Sequence, residues 1–290
     1  MRGIIVKNSF NKSLNTEYKI ERLKEEFKKY DVELDVFRAS DLKLHFDQGR
    51  YQTIDLSKYS FCVYLDKDRY LASAINSILP TFNSANSMIY CDDKMLTYEK
   101  LQGLKIKTPL TIPCPLNYSN NIQSDFTDYV IDKLHLPLIA KSVYGSLGKQ
   151  VYLLNTKEDV ENYYKKYSNI PHIYQEYISY EFGTDYRLIT VGGKVVGRMK
   201  RKNDFDFRSN IALGGKGEKV ELNSTYDDLA IKVSEALGLD YAGIDILKGE
   251  NDMPILNEVN SNAYFTEVEK VTKNNITGEL VKHILNKISN

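Results

Sequence analysis

Two carboxylates in a β-patterned stretch near the end of the chain carry the first chemistry. In residues 242–247 (AGIDIL), Ile244 and Ile246 flank Asp245, so a strand there turns Asp245 away from both isoleucines. In residues 254–262 (PILNEVNSN), Glu258 and Asn260 are two apart and share a face, with Val259 on the other. A Gly/Asn/Asp turn at residues 248–252 joins the strands and sets Asp245 and Glu258 opposite each other, to within about one step of register. Two carboxylates and an amide oxygen are hard ligands. They suit Mg²⁺, which keeps some waters and completes its shell from substrate phosphates. The same face can be read as solvated sheet surface. Asp, Glu and Asn among strongly apolar neighbours are nevertheless costly without a cation.

Positive groups precede this pair. Lys141 ends an apolar run (residues 137–141, PLIAK), where a lysine either reaches water or meets an anion. The following Gly145-Ser146-Leu147-Gly148-Lys149 exposes backbone N–H groups with little side-chain obstruction, as a phosphate-covering loop requires. It is neither GxxxxGK[ST] nor GxGxxG, so an ordinary hairpin turn stays open beside the phosphate reading. Gln175, Glu176, Tyr177 and Ile178 close a strand whose edge could offer backbone groups to an adenine, and Asp185 could accept from ribose hydroxyls. Arg187, Arg198, Lys200, Arg201, Lys202 and Arg208 form a basic patch, read either as a solvated face or as a cationic wall around phosphates and a carboxylate. Arg208-Ser209-Asn210, before Gly214-Gly215, reads as a mobile loop bringing one guanidinium into a site.

The elements that must position these residues follow from periodicity. Residues 3–6 read as a buried strand, 16–30 as a helix with Ile20, Leu23 and Phe27 on one face, and 32–37 and 59–65 as further strands. Together they predict a small parallel α/β unit. Residues 92–101 predict one helix with an acidic cap and Lys94 in its first turn. Residues 120–134 read as a polar helix or loop, 151–154 as a strand, 156–167 as a helix opened by a Thr156/Asp159 capping box, and 173–178 as a strand. Residues 186–191 and 194–200 flank Gly192-Gly193, a hairpin signal. Ser224 or Thr225 is the expected cap of a helix that Gly238 stops.

Composition narrows the classes. The chain of 290 residues suits two or three packed subdomains. Lys plus Arg and Asp plus Glu are both 39, and this balance gives no support to bulk electrostatic nucleic-acid binding. The longest apolar runs fall short of a membrane span. Cys62, Cys91 and Cys114 lack disulfide or zinc spacing, and the four histidines are scattered. The expectation is a reduced, soluble, cytoplasmic protein with neither nucleic-acid nor membrane partner.

In order and wording these segments resemble the ATP-grasp ligases, most closely the RimK-type α-L-glutamate ligases. The likeness runs through CDDKMLTYEKL, LPLIAKSVYGSLGKQVYLL, YQEYI, GTDYRLITVGGKVVGRMKR, DFRSNIALGG, AGIDIL and LNEVNSN. It covers residues 92–262; before that only the strand-helix-strand pattern agrees. The resemblance implies an α/β (α+β) ATP-grasp fold: a pre-ATP-grasp domain at 1–92, a central subdomain with the glycine loop at 93–178, and a C-terminal subdomain with the metal site at 179–290. It implies ATP and two Mg²⁺, with Mn²⁺ as a substitute. Lys94 and Lys141 would sit on the phosphates under Gly145, Ser146 and Gly148. Gln175 to Ile178 would form the adenine hinge, with Asp185 on the ribose and Asn210 between nucleotide and substrate. Asp245, Glu258 and Asn260 would hold metal. Arg201 would lie on the transferred phosphate, with Arg187, Arg208, Ser209 and Asn210 near the acid substrate. The chain departs from the family at Ser261-Asn262-Ala263-Tyr264-Phe265 and at Ala212-Leu213, near where substrates would sit.

The implied activity is a carboxylate–amine ligation through an acyl phosphate, releasing ADP and phosphate. The ligase would add glutamate or another amino acid to a small-molecule, peptide or protein acceptor, and would be a possible homo-oligomer. A peptide-macrocyclising ligase, an ATP-grasp kinase and a non-catalytic nucleotide binder are the alternatives. Removing Asp245 or Glu258 is expected to abolish ADP formation with little effect on folding.

Overall fold

The computed structural model describes residues 1–118, 124–145 and 147–289. Four strands, β1 (Arg2–Lys7), β2 (Glu33–Arg38), β5 (Phe61–Leu65) and β6 (Thr81–Phe82), form a parallel sheet in the order β2-β1-β5-β6. A small hairpin of β3 (His45–Asp47) and β4 (Arg50–Gln52) lies between β2 and β5 in sequence. Helix α1 (Leu14–Lys28) covers one face through Ile20, Leu23 and Phe27, as its spacing predicts. Helices α2 (Arg69–Asn76) and α3 (Ala85–Asp92) cover the other face. The predicted helix over 92–101 is broken. Asp93 leaves helical geometry, and its carboxylate accepts from the N–H groups of Met95 and Leu96 to start α4 (Lys94–Lys100).

A second, antiparallel sheet has the order β7-β10-β8-β9, from β7 (Thr111–Pro113), β8 (Leu138–Ser142), β9 (Val151–Leu154) and β10 (His172–Glu176). Helices α5 (Ser124–Leu134) and α6 (Lys157–Tyr167) pack on it, and α6 opens with the Thr156/Asp159 capping box. Strand β10 stops at Glu176, two residues short of the expected end.

The third sheet, β13-β12-β11-β14-β15, is antiparallel: β11 (Thr184–Val191), β12 (Lys194–Lys202), β13 (Lys216–Lys219), β14 (Tyr241–Lys248) and β15 (Pro254–Asn260). Helix α7 (Ser224–Ala236) covers one face. Its cap is Asn223, whose side chain accepts from Thr225 N–H, rather than Ser224 or Thr225. Helices α8 (Thr266–Thr272) and α9 (Ile276–Ser289) cover the other. That face shares one apolar core with the first sheet: Ile5, Leu23, Phe27 and Phe61 pack with Ile189, Phe265, Leu280 and Ile284. Asn83 fastens the same junction. Its amide donates to the carbonyls of Tyr241 and Ser261 and accepts from the N–H groups of Asp240 and Tyr241. The second sheet has a core of its own, around Val130, Leu138 and Tyr174.

Candidate functional site

A cleft between the second and third sheets holds a cavity of about 90 Å³ lined by residues of both. Its floor is the β14–β15 hairpin. Asp245 and Glu258 are direct cross-strand partners there, and Gly243 faces Asn260. The register slips between Asp245 and Ile246, leaving Asn257 as the extra residue of a β-bulge. Asn257 thereby lines the cleft, and its Oδ1 accepts from Lys141 Nζ at 3.2 Å. Strict alternation along β15 gives no sign of this bulge, so Asn257 is a site residue that pattern reading misses.

Asp245 is buried and ionic. Arg187 grips both its oxygens at 2.7 Å, Arg201 reaches Oδ2 at 3.0 Å, and Asn260 donates to Oδ2 at 3.3 Å. Burial pushes the Asp245 carboxyl up, but Arg187 and Arg201 outweigh it and hold the group below the usual carboxylate range. Arg201 forms a fork with Asp185, directly opposite it in the β11–β12 register. Burial opposes the Arg201 charge, yet Asp185 and Asp245 raise its pKa further. Both oxygens of Asp185 are thus engaged by Arg201. Glu258 is freer: Lys94 Nζ stands 3.5 Å from its Oε1, and about a quarter of its side chain meets solvent.

The lysines come from elements outside the hairpin. Lys94, in the first turn of α4, donates to the carbonyl of Gly145 at 2.9 Å and so ties the base of the glycine loop to the acidic hairpin. Lys141 on β8 is buried, and burial together with the neighbouring Lys94 lowers its pKa to about 7. Gln175 is packed in place by bonds to Tyr98 (2.9 Å) and Thr111 (2.6 Å). Glu176, Tyr177 and Ile178 line the cleft where β10 ends. The Glu176 side chain accepts from Leu110 N–H.

The Arg208-Ser209-Asn210 loop closes the far side. Arg208 Nη1 donates to the carbonyl of Gly148 at 3.0 Å, so the third sheet holds the glycine loop directly. Gly148 has φ +72°, and a Cβ there would lie 2.5 Å from Asn210 Oδ1. Among the described residues, Lys141, Gly148, Gln175 to Ile178, Asp185, Arg201, Arg208 to Asn210, Asp245 and Glu258 line the cleft together. Lys94, Gly145, Arg187 and Asn260 reach it through residues that they bond. Ser146 lies outside the described residues. Of the expected metal donors, Glu258 keeps about a quarter of its side chain in solvent, whereas both oxygens of Asp245 are engaged by Arg187 and the Asn260 amide donates to Asp245. Among the described residues no group of three or more His, Cys, Asp or Glu side chains is placed to hold a metal ion.

The profile of the RimK-like ATP-grasp domain matches residues 91–284. The chain belongs to the RimK-like ATP-grasp family. The MG012 homolog of Mycoplasma pneumoniae is 30% identical over 91% of this chain and 92% of its own length. The probable alpha-L-glutamate ligase 1 of Shewanella sp. (strain ANA-3) is 35% identical, over 66% of this chain and 64% of that one. Human N-acetylaspartylglutamate synthase A is 29% identical over 72% of this chain, which spans about half of that longer protein (53%). Among solved structures, D-alanine–D-alanine ligase from Bacillus anthracis complexed with ATP superposes with a TM-score of 0.74 at 18% identity, over 100% of this chain and 97% of that one. The ATP-grasp ligase PsnB, complexed with minimal precursor, Mg and ADP, gives 0.71 at 15% identity, over 99% of this chain and 98% of that one. The RimK-like chain therefore has the ATP-grasp fold, with no helix among its described residues long and apolar enough to cross a membrane.

Proposed function

We propose that this RimK-like chain is an ATP-dependent carboxylate–amine ligase that joins an acid to an amine and releases ADP and phosphate. The observation that carries the reading is the direct pairing of Asp245 with Glu258, ringed by Lys94, Lys141, Arg187 and Arg201 at one end of a cleft. Relatives named as glutamate ligase and N-acetylaspartylglutamate synthase support the reaction class.

In this reading the adenine lies along residues 175–178, and the triphosphate runs beneath the glycine loop toward Lys94 and Lys141. Asp245, Glu258 and Asn260 would hold Mg²⁺ once Arg187 leaves Asp245 for the acid substrate. When bound, that ion neutralises phosphate charge. Asp185 acts by holding Arg201, rather than by accepting from ribose. A substrate carboxylate attacks the γ-phosphate, and Lys141 and Arg201 stabilise the charge that develops. The resulting acyl phosphate is prone to hydrolysis, so the site must exclude water. The glycine loop, gripped by Arg208, does so. An amine then attacks the acyl carbon and phosphate leaves.

The test is a phosphate-release screen with ATP, Mg²⁺ and a matrix of amino acids, short peptides and dicarboxylates, with hydroxylamine added to trap an acyl phosphate as its hydroxamate. Phosphate release together with hydroxamate from at least one acid is the expected result. ADP without free phosphate assigns a kinase instead, and nucleotide binding without turnover assigns a binder.

A further inference from the structure

One charged pair stands outside the cleft. Asp92, the last residue of α3, accepts from Ser261 Oγ at 3.0 Å through Oδ1. Ser261 directly follows Asn260, so this carboxylate is tied to the end of the strand that carries Glu258. The same Oδ1 lies 3.3 Å from Lys67 Nζ, which arrives from the loop between β5 and α2. The second oxygen, Oδ2, is buried and has no hydrogen-bond donor. A buried carboxylate oxygen without a donor carries an uncompensated desolvation cost, so it binds strongly to any N–H group brought to it.

The two partners of Asp92 differ in freedom. Ser261 is nearly fully buried, whereas Lys67 keeps 39% of its side chain in solvent and can swing away. Lys67 also feels the acidic hairpin. Burial works against its charge, but Asp92 leads the groups that outweigh it, and Glu258 is among them. The Lys67 ammonium therefore sits where a primary ammonium is welcome, beside the hairpin where the acyl phosphate would form.

We propose that Asp92 is the docking residue for the ammonium of the amine substrate, and that Lys67 is a built-in stand-in which this ammonium displaces. The inference rests on the ligase reading above. It assigns the amine to the face formed by α3, the β5–α2 loop and the end of β15, opposite the nucleotide. Bound there, the ammonium takes the place of Lys67 on Oδ1. Neither residue bonds covalently to substrate: the docked ammonium passes one proton to the Asp92 carboxylate, and the freed lone pair attacks the acyl carbon as phosphate leaves.

The ion pair is tested by breaking it from each end. Michaelis constants for ATP, acid and amine are measured separately for wild type, D92N, S261A and K67A. In D92N the KM for amine rises roughly tenfold or more, since a charge-assisted bond is lost. S261A shifts it the same way, less steeply. K67A shifts it the opposite way, severalfold lower, because the competitor is gone. A residue pair that only braces the fold moves in one direction from both ends. Amine KM values that rise in both D92N and K67A, or ATP and amine KM values that move equally in D92N, overturn the proposal while leaving the ligase reading intact. Wild-type protein that forms neither ADP nor hydroxamate with any acid overturns the ligase reading, and this assignment with it.

Discussion

Lys141 directs its ammonium at Asn257, 3.2 Å away, the residue that the bulge in β15 turns into the cleft. A neutral amide is a weak partner for a buried cation, and with Lys94 nearby the proton is held loosely: the pKa is lowered to about 7. A phosphate arriving beside Lys141 reverses the balance and raises that pKa. At pH 8, nucleotide binding is therefore expected to take up about one proton, and at pH 6 almost none. Calorimetric titrations in buffers of different ionisation enthalpy measure this uptake. K141M abolishes it. Binding heats independent of buffer at pH 8 would remove Lys141 from the phosphate site.

The two carboxylates of the hairpin are not equivalent. Asp245 is buried under two guanidinium groups, whereas Glu258 pairs with Lys94 at 3.5 Å and meets solvent. Both D245N and E258Q are expected to lose ADP formation. Only D245N should also lose stability, by about 3–5 kcal/mol, since it leaves buried Arg201 and half-buried Arg187 short of an anion. Urea unfolding of the two variants makes the comparison. For Asp245 this differs from the sequence-based expectation of little effect on folding; for Glu258 it agrees with it.

Gly148 joins two constraints: a left-handed backbone and close approach to Asn210. G148A is expected to lower kcat/KM about tenfold or more, through strain and a displaced loop. A loop that closes imperfectly also admits water. The ratio of amide product to phosphate should then fall below that of wild type, and R208A should lower it as well, through loss of the bond to the Gly148 carbonyl. Assaying phosphate and product in the same reaction decides it. An unchanged ratio in both variants would mean that this loop does not protect an intermediate.

Lys19 gives a stability prediction away from the chemistry. Its ammonium is enclosed by Tyr241 Oη, Asn262 Oδ1 and the Ala263 carbonyl, over the Tyr241 and Phe265 rings. Burial lowers its pKa to about 7 from an ordinary value of 10.5. Between those values the unfolded chain binds the extra proton, so this group makes stability rise with pH and then level off above the unfolded value. K19M is expected to flatten the rise between pH 7 and pH 10, as read from urea midpoints. A slope identical to wild type would show that Lys19 stays charged in the folded state.

Much of the site was legible because a β-hairpin converts sequence spacing into position. Alternation in β14 and β15 put Asp245 and Glu258 on one face, and the turn length set them opposite each other. Three features were not legible, each for a physical reason. The bulge at Asn257 breaks the period that the prediction relies on. The engagement of Asp185 by Arg201 depends on pairing between different strands, which local pattern leaves free. The positions of Lys19, Lys67 and Asp92 depend on how the first sheet packs against the third, and no spacing within one segment encodes that contact. The break at Asp93 reflects a side chain competing for backbone N–H groups, a local choice that helical periodicity overrides on paper.

The apolar core shared by the first and third sheets has a mechanical consequence. Prising them apart would flood Ile5, Phe27, Phe265 and Leu280 with water, so the opening thirds and closing thirds of the polypeptide behave as one anvil. The middle sheet, with an inner core of its own, joins the third through the stretch at residues 177–183, whereas residues 101–107 are held to the third sheet by Leu101, Leu104, Ile106 and the Lys107 carbonyl, which accepts from Leu256 N–H. Stiffening the 177–183 stretch is expected to slow admission and escape of reactants without touching a reactive group.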